Sequence, residues 1–252
     1  MFAGIPDRGA EDAWWLSSLQ MELWQTKGVP FSGSSADIAK CFDQLVRPLV
    51  YSLARSAGMP TRVLQPYQKY MEAMTVRNTI CNSLGQPYFR RCGIPEGCPL
   101  SMMFLALVLR PWTMAMNSIG ATPRILADDL MLLTSGSDHV SKMHQAINKT
   151  HELLQDMGAK VAPAKSFVFS NRPQARKWYT KHVWVNIAST IPVVRSVRDL
   201  GGTINTVGRN YAKIIDARIG KSLATLRKFR HLPHDTKTKA LFIQSKVLNA
   251  ME

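Results

Sequence analysis

The stretch Ile125-Leu126-Ala127-Asp128-Asp129-Leu130-Met131-Leu132-Leu133 decides how this chain is read. Two adjacent aspartates interrupt a run of apolar residues that otherwise has the pattern of a buried strand. From Arg124 to Thr134 the pattern predicts strand, tight turn, strand, with Asp128-Asp129 at the turn. Asp is a common turn residue, which accounts for the dipeptide taken alone. Ionised groups in so apolar a run are unfavourable, however, unless a cation neutralises them. A third carboxylate, Asp37, closes an earlier strand expected over Phe31 to Ile38, and with it a divalent-metal site becomes the better account. Hard carboxylate oxygens suit Mg²⁺, which takes few protein ligands and completes its shell with phosphate oxygens and water. The candidate ligands are Asp37, Asp128 and Asp129.

Helices are expected from about Glu11 to Lys27, Gln44 to Ser56, Thr61 to Met74, after Pro99 to about Ser118, and Asp138 to Met157. Thr75 to Cys81 and Gln86 to Cys92 alternate like a hairpin turning at Asn82-Ser83-Leu84-Gly85. Lys165 to Ser170 reads as a strand and Ile191 to Asn205 as a further hairpin around Gly201-Gly202. From Arg209 onward two helices are expected, broken at Leu232-Pro233. This order implies an α+β fold, an antiparallel sheet with helices on one face, followed by a helical appendage.

The 252 residues carry 32 Lys+Arg against 17 Asp+Glu, a net +15. The balance is +12 from Arg172 to Glu252 and only +3 before it. A charge so concentrated fits a part that grips phosphates. Cys41, Cys81, Cys92 and Cys98 form no CxxC pair and read as reduced thiols. The start lacks the apolar stretch of a signal peptide, and the apolar run Leu100 to Leu109 stops short of a membrane span at Arg110-Pro111. An intracellular protein with no membrane partner is therefore expected. His139 and His144, like His231 and His234, have no metal-site context and read as surface histidines.

Five segments, SADIAKCFD, GIPEGCPLS, LADD, GAKVAPAKSFVF and VRDLGGTI, occur in the order of the palm motifs of reverse transcriptases, and the chain resembles the non-LTR retrotransposon branch. The resemblance covers roughly Phe2 to Gly202 and implies an RNA-directed DNA polymerase with a right-hand fold. It divides the chain into partial fingers (1–35), palm (36–190), a primer-grip-like hairpin (191–206) and a partial basic helical thumb (207–252). Asp37, Asp128 and Asp129 would hold two Mg²⁺ ions, with Mn²⁺ as a substitute, for nucleotidyl transfer. Lys165 would assist the departing pyrophosphate. Phe42 matches the bulky residue under the incoming sugar, where a ring clashes with a 2′-hydroxyl. Gly93, Ile94, Pro95, Glu96 and Gly97 match the loop along template and incoming base. Leu200, Gly201 and Gly202 match the primer grip. On a helical wheel Ile215, Ile219, Leu223 and Leu226 share one side, while Arg209, Lys213, Lys221, Arg227 and Lys228 fall broadly opposite, as phosphate contacts. The implied partners are an RNA template, a DNA primer and deoxynucleoside triphosphates.

Departures from the pattern are Glu96 where the family usually has Gln, Leu126 for an aromatic residue and Met102 for Pro. Glu96 adds negative charge near the triphosphate. The resemblance also implies an N-terminally truncated core, with Arg8 the nearby cation in place of upstream fingers residues. The competing expectation is an inactive nucleic-acid-binding remnant. An RNA-copying RNA polymerase fits less well, because Phe42 and Ala127 follow the deoxynucleotide-using pattern.

Overall fold

The structure, a computed structural model, describes residues 9–161, 165–200, 202–206, 211–230 and 235–248. Helix α1 (Ala10–Thr26) leads into strand β1 (Phe31–Ala39), a short helix α2 (Cys41–Gln44), and helices α3 (Arg47–Ser56) and α4 (Thr61–Ala73). Four two-residue strands follow, β2 (Thr75–Val76), β3 (Thr79–Ile80), β4 (Ser83–Leu84) and β5 (Tyr88–Phe89). Helix α5 (Ser101–Ile119), strands β6 (Thr122–Leu126) and β7 (Asp129–Ser135), helix α6 (His139–Asp156), strands β8 (Lys160–Val161) and β9 (Phe167–Ser170), and helix α7 (Pro173–Lys181) complete the first of two compact units, which ends at Val194. The second unit holds strands β10 (Ser196–Asp199) and β11 (Gly202–Asn205), helices α8 (Tyr211–Arg230) and α9 (Thr236–Phe242), and a π-helical segment Ile243–Leu248.

Strand β1 is the centre of the main sheet. It pairs antiparallel with β7 from Phe31 to Asp37, and also with β9 and β8; β6 flanks β7. Because side chains alternate along a strand, Ser32, Ser34 and Ala36 point to one face and Phe31, Gly33, Ser35 and Asp37 to the other. The first face meets helices: Tyr179 of α7 donates its hydroxyl proton to Ser32 Oγ (3.0 Å), which also shares a hydrogen bond with His139 Nδ1 of α6 (2.8 Å). Leu130 and Leu132 on this side join Trp112, Met116, Ile147 and Leu154 in the main core. Trp112 Nε1 donates to Thr150 Oγ1 at 2.9 Å, so the largest core side chain also ties α5 to α6 with its polar atom satisfied. By length and composition α5 could cross a membrane, but Phe104, Leu105, Val108, Leu109, Trp112 and Met116 are buried in this core.

The other face is covered only in part. Trp24 of α1 lies 5.6 Å, ring to ring, from Phe31. Phe169 lies over Gly33 so closely that a Cβ there would meet its ring at 2.1 Å. With Met131 and Leu133 also buried on this side, Leu130 to Thr134 is a continuous buried run, the signature of a strand covered on both faces. Toward Asp37 that cover ends, and the strand's charged residues begin.

The structure revises several expected boundaries. The hairpin after α4 turns at Cys81-Asn82, whose φ values of 48° and 63° are left-handed, and not over 82–85. Its outer pair, Thr75↔Phe89, is offset by one residue from the inner pair, Ile80↔Ser83, a bulge that falls outside the bond from Gly85 N to Asn78 O, which keeps the inner register. The later hairpin turns at Leu200, with φ 46°, and Gly202 already pairs with Asp199 in the strand. Helix α7 falls in a segment for which the sequence suggested no element.

Candidate active site

Asp37 and Asp129 are direct partners across β1 and β7. Side chains at such positions start about 4.5–5.5 Å apart at Cβ. Asp128 sits in the turn between β6 and β7, after Ala127, whose φ of 53° is left-handed. An alanine there stores about 1–2 kcal/mol of strain, held by the pairing of Leu126 with Asp129 that closes the turn. Cys41 reports the third relation. Its thiol is pushed up to about 12, first by burial and then by the negative charges of Asp128 and Asp37. Both carboxylates therefore act on one buried sulfur, and the three acids lie at the same end of the β1–β7 pair.

Like charges directly opposite each other are destabilising, and cations answer two of them. Lys165 Nζ lies 3.4 Å from Asp37 Oδ2, with the lysine 74% exposed. Arg124 is buried and places Nη2 3.4 Å from Asp129 Oδ2, while the Ser35 hydroxyl donates to Asp129 Oδ1 at 3.0 Å. Asp129 is thus engaged at both oxygens. Asp128 makes no hydrogen bond or ion pair among the described residues. Asp37 Oδ2 is shielded from solvent and, beyond the ion pair with Lys165, accepts no hydrogen bond among the described residues.

These observations test whether the residues suit a divalent cation. A buried oxygen without a hydrogen bond, beside a second open carboxylate, is a donor set that a hard cation satisfies, completing its shell with phosphate oxygens. Among the described residues no three His, Cys, Asp or Glu side chains are gathered closely enough to enclose an ion unaided. Asp128 is the open donor, Asp37 is met only by the exposed Lys165, and Asp129 is engaged by both Ser35 and the buried Arg124. Neither of those two partners was anticipated from sequence, although a lone arginine inside the apolar strand Thr122–Leu126 was the available signal.

The loop Gly93–Gly97 is fastened beside this cluster through α2. Gly93 N donates to Leu45 O and Ile94 N to Phe42 O, both at 2.8 Å. Gly93 has φ 82°, and a Cβ on it would meet Asp43 O at 2.7 Å, so this position requires glycine twice over. Arg47, also unforeseen, is 1% exposed and donates to Gly93 O and Met71 O, each at 2.8 Å, locking the loop to α4. Phe42 is half-buried against the core. Pro95 is half-buried, and Glu96 and Gly97 are exposed. Arg90 pairs with Asp43, next to Phe42.

In the second unit, Leu200 forms the hairpin turn and Gly202 begins β11; Gly201 and Arg209 lie outside the described residues, as do Arg8, His231 and His234. Lys221, Arg227 and Lys228 are exposed on α8. Nothing is described of the Lys213 side chain. The helical-wheel division is corrected here: Ile219 and Leu223 are 39% and 49% exposed, while Ser222 is buried. His139, read as a surface residue, is buried; its pKa is lowered by burial and then by Arg172.

Residues 5–230 match the family model described as reverse transcriptase (RNA-dependent DNA polymerase). No curated protein sequence matches the chain. Among solved structures, apo telomerase from Candida tropicalis, truncated from its C-terminal domain, is similar over 78% of this chain and 38% of that one, with 17% identity and a TM-score of 0.53. Telomerase from Candida tropicalis in complex with a TWJ fragment of telomeric RNA is similar over 86% and 37%, with 12% identity and a TM-score of 0.55. The corresponding Candida albicans telomerase complex gives 86% and 39%, 15% identity and a TM-score of 0.52. At these identities the likeness is one of fold, and the chain spans less than two fifths of each telomerase chain. With the family model matching most of its length and the antiparallel, helix-backed sheet shared with telomerase, this chain belongs to the reverse transcriptases.

Proposed function

We propose that this chain is the RNA-directed DNA polymerase core of a non-LTR retroelement, extending a DNA primer on an RNA template inside the cell. One observation carries the reading: the cross-strand apposition of Asp37 and Asp129, with Asp128 at the adjoining turn. Asp37 and Asp128 would hold Mg²⁺. When bound, two such ions activate the attacking 3′-hydroxyl and neutralise charge on the departing pyrophosphate. The other roles fall to the chain itself. Asp129 holds the turn through Ser35 and Arg124 and so fixes where Asp128 points. Lys165, beside Asp37, supplies positive charge or a proton to the leaving group. Phe42 presents a ring to the incoming sugar, and the loop Gly93–Gly97, fixed to Phe42 and Leu45, positions template and base. In the second unit, the Leu200–Gly202 turn would bear on the primer end, and Lys221, Arg227 and Lys228 (with Arg209 and Lys213) on phosphates.

The test is incorporation of deoxynucleotides on an RNA template with a DNA primer. The reading expects Mg²⁺-dependent extension that is lost in Asp128→Ala. Extension that persists in Asp128→Ala, or none in the unaltered chain, would reject it. Salt-sensitive primer–template binding without extension would instead assign the chain to the inactive, nucleic-acid-binding class.

A further inference from the structure

On the opposite side of the sheet from the carboxylates, helix α7 shows an exposed face made of Gln174, Lys177, Trp178 and Lys181, while its buried face carries Ala175 and Tyr179. Tyr179 anchors the helix by its bond to Ser32 Oγ, on the strand face that Asp37 does not share. Trp178 is 39% exposed yet held rigidly. Its ring stacks on His182 at 4.4 Å with an interplanar angle of 16°, and meets His144 edge-on at 5.5 Å. Beneath them Trp184, fully buried, packs against both histidines at 5.6 and 4.6 Å. An exposed indole with this much aromatic backing is a flat, pre-ordered surface that gives up little entropy on covering.

The charge around it has one sign. The sequence contains no acidic residue between Asp156 and Asp199, and Lys177 and Lys181 are exposed and make no ion pair among the described residues. On neighbouring α6 the nearest carboxylates are already engaged: Asp138 pairs with Lys142 at 3.0 Å and Glu152 with Lys149 at 3.1 Å. Asp156 lies at the far end of α6, about 18 Å along the axis from His144 at 1.5 Å per residue.

We infer that the face of α7 bearing Lys177, Trp178 and Lys181 is a second nucleic-acid contact, a platform on which a base of an unpaired strand stacks while the lysines meet flanking phosphates. Flat aromatic rings set among unpaired cations are how proteins hold single strands without reading sequence. A peptide or protein partner would need acidic groups for the lysines and would use the indole less fully than a base does.

The experiment irradiates the full chain with a short uridine oligonucleotide carrying iodouridine and maps the adducts. Adducts on Trp178 or its neighbours are expected. Trp178→Ala should weaken strand binding roughly 5- to 100-fold, in line with one stacked base, and Trp178→Phe should restore most of it. Lys177→Gln/Lys181→Gln, exposed changes that leave the aromatic packing alone, should flatten the logarithmic salt dependence by about 1.4. Adducts confined to other segments, or an unchanged salt slope in the lysine variant, would overturn the proposal. So would a concentration-dependent dimer abolished by Trp178→Ala without any adduct there, which would give the face to a second copy of the chain. Primer extension measured alongside keeps the two readings separate, since neither lysine belongs to the catalytic cluster.

Discussion

The two faces of strand β1 are built from the same alternating backbone and meet opposite requirements. On one, Ser32, Ser34 and Ala36 are small, and Ser32 is satisfied by Tyr179 and His139 beneath close-packed helices. On the other, Asp37 faces Asp129 across the sheet, Asp128 has no hydrogen-bond or ion-pair partner among the described residues, and Asp37 keeps a buried oxygen without a hydrogen bond among them. The first face obeys the rules of a stable core. The second breaks them in a confined place, with Lys165 and Arg124 offsetting only part of the charge. The difference separates residues that hold the sheet from residues the sheet exists to present, and it can be attacked from either side.

The largest effect is expected at Asp128. Asp128→Ala should lower incorporation by on the order of 10³-fold, the several kcal/mol that metal-assisted catalysis supplies, while leaving thermal stability unchanged or slightly raised as repulsion is relieved. A fall in melting temperature matching the loss of activity would erase the distinction between the faces. Gly33→Ala drives a Cβ into the Phe169 ring and should destabilise by about 1–3 kcal/mol, read from denaturant unfolding. Arg124→Gln should act on both counts. Losing a charged hydrogen bond at a buried position should remove about 1.5–3 kcal/mol of stability, and with Asp129 released, turnover should fall while nucleotide KM changes little. Tyr179→Phe, confined to the core face, should remove about 1 kcal/mol and spare turnover.

A pH series probes the core face as a whole. His151 is buried, and burial lowers its pKa from 6.5 to about 4. The unfolded chain takes up that proton near 6.5 and the folded chain resists it. Its contribution to stability is therefore complete above 6.5 and is lost as pH falls toward about 4. Denaturant midpoints across that range should drop in the unaltered chain and less in His151→Gln.

Much of the fold was legible because α6 carries periodic apolar residues, α5 and β7 carry apolar runs, and clear breakers separate them. The apposition of Asp37 and Asp129 drew attention in the sequence because charge inside an apolar run has few explanations. What escaped was decided mostly by tertiary contacts, some of them remote in sequence. Arg47 and Ser35 look like ordinary residues until their partners Gly93 and Asp129 arrive from elsewhere in the chain, whereas Arg124 meets Asp129 across the adjoining turn. Helix α7 was missed because its buried side is only Ala175 and Tyr179, too sparse a pattern to register. Ile219 and Leu223 mislead in the opposite sense, sharing an apolar side that stays exposed on α8. The position of the Cys81-Asn82 turn was missed because a bulge shifts the hairpin register by one residue.

The most direct test replaces Mg²⁺ with Fe²⁺ and lets locally generated hydroxyl radicals cut the backbone nearest the ion. Cleavage beside residue 37 and beside residues 127–129, lost in Asp37→Asn/Asp128→Asn and retained in part in Asp129→Asn, is the expected pattern. Cuts at one of these segments without the other, or an identical pattern in the double variant, would show that these acids do not share a cation.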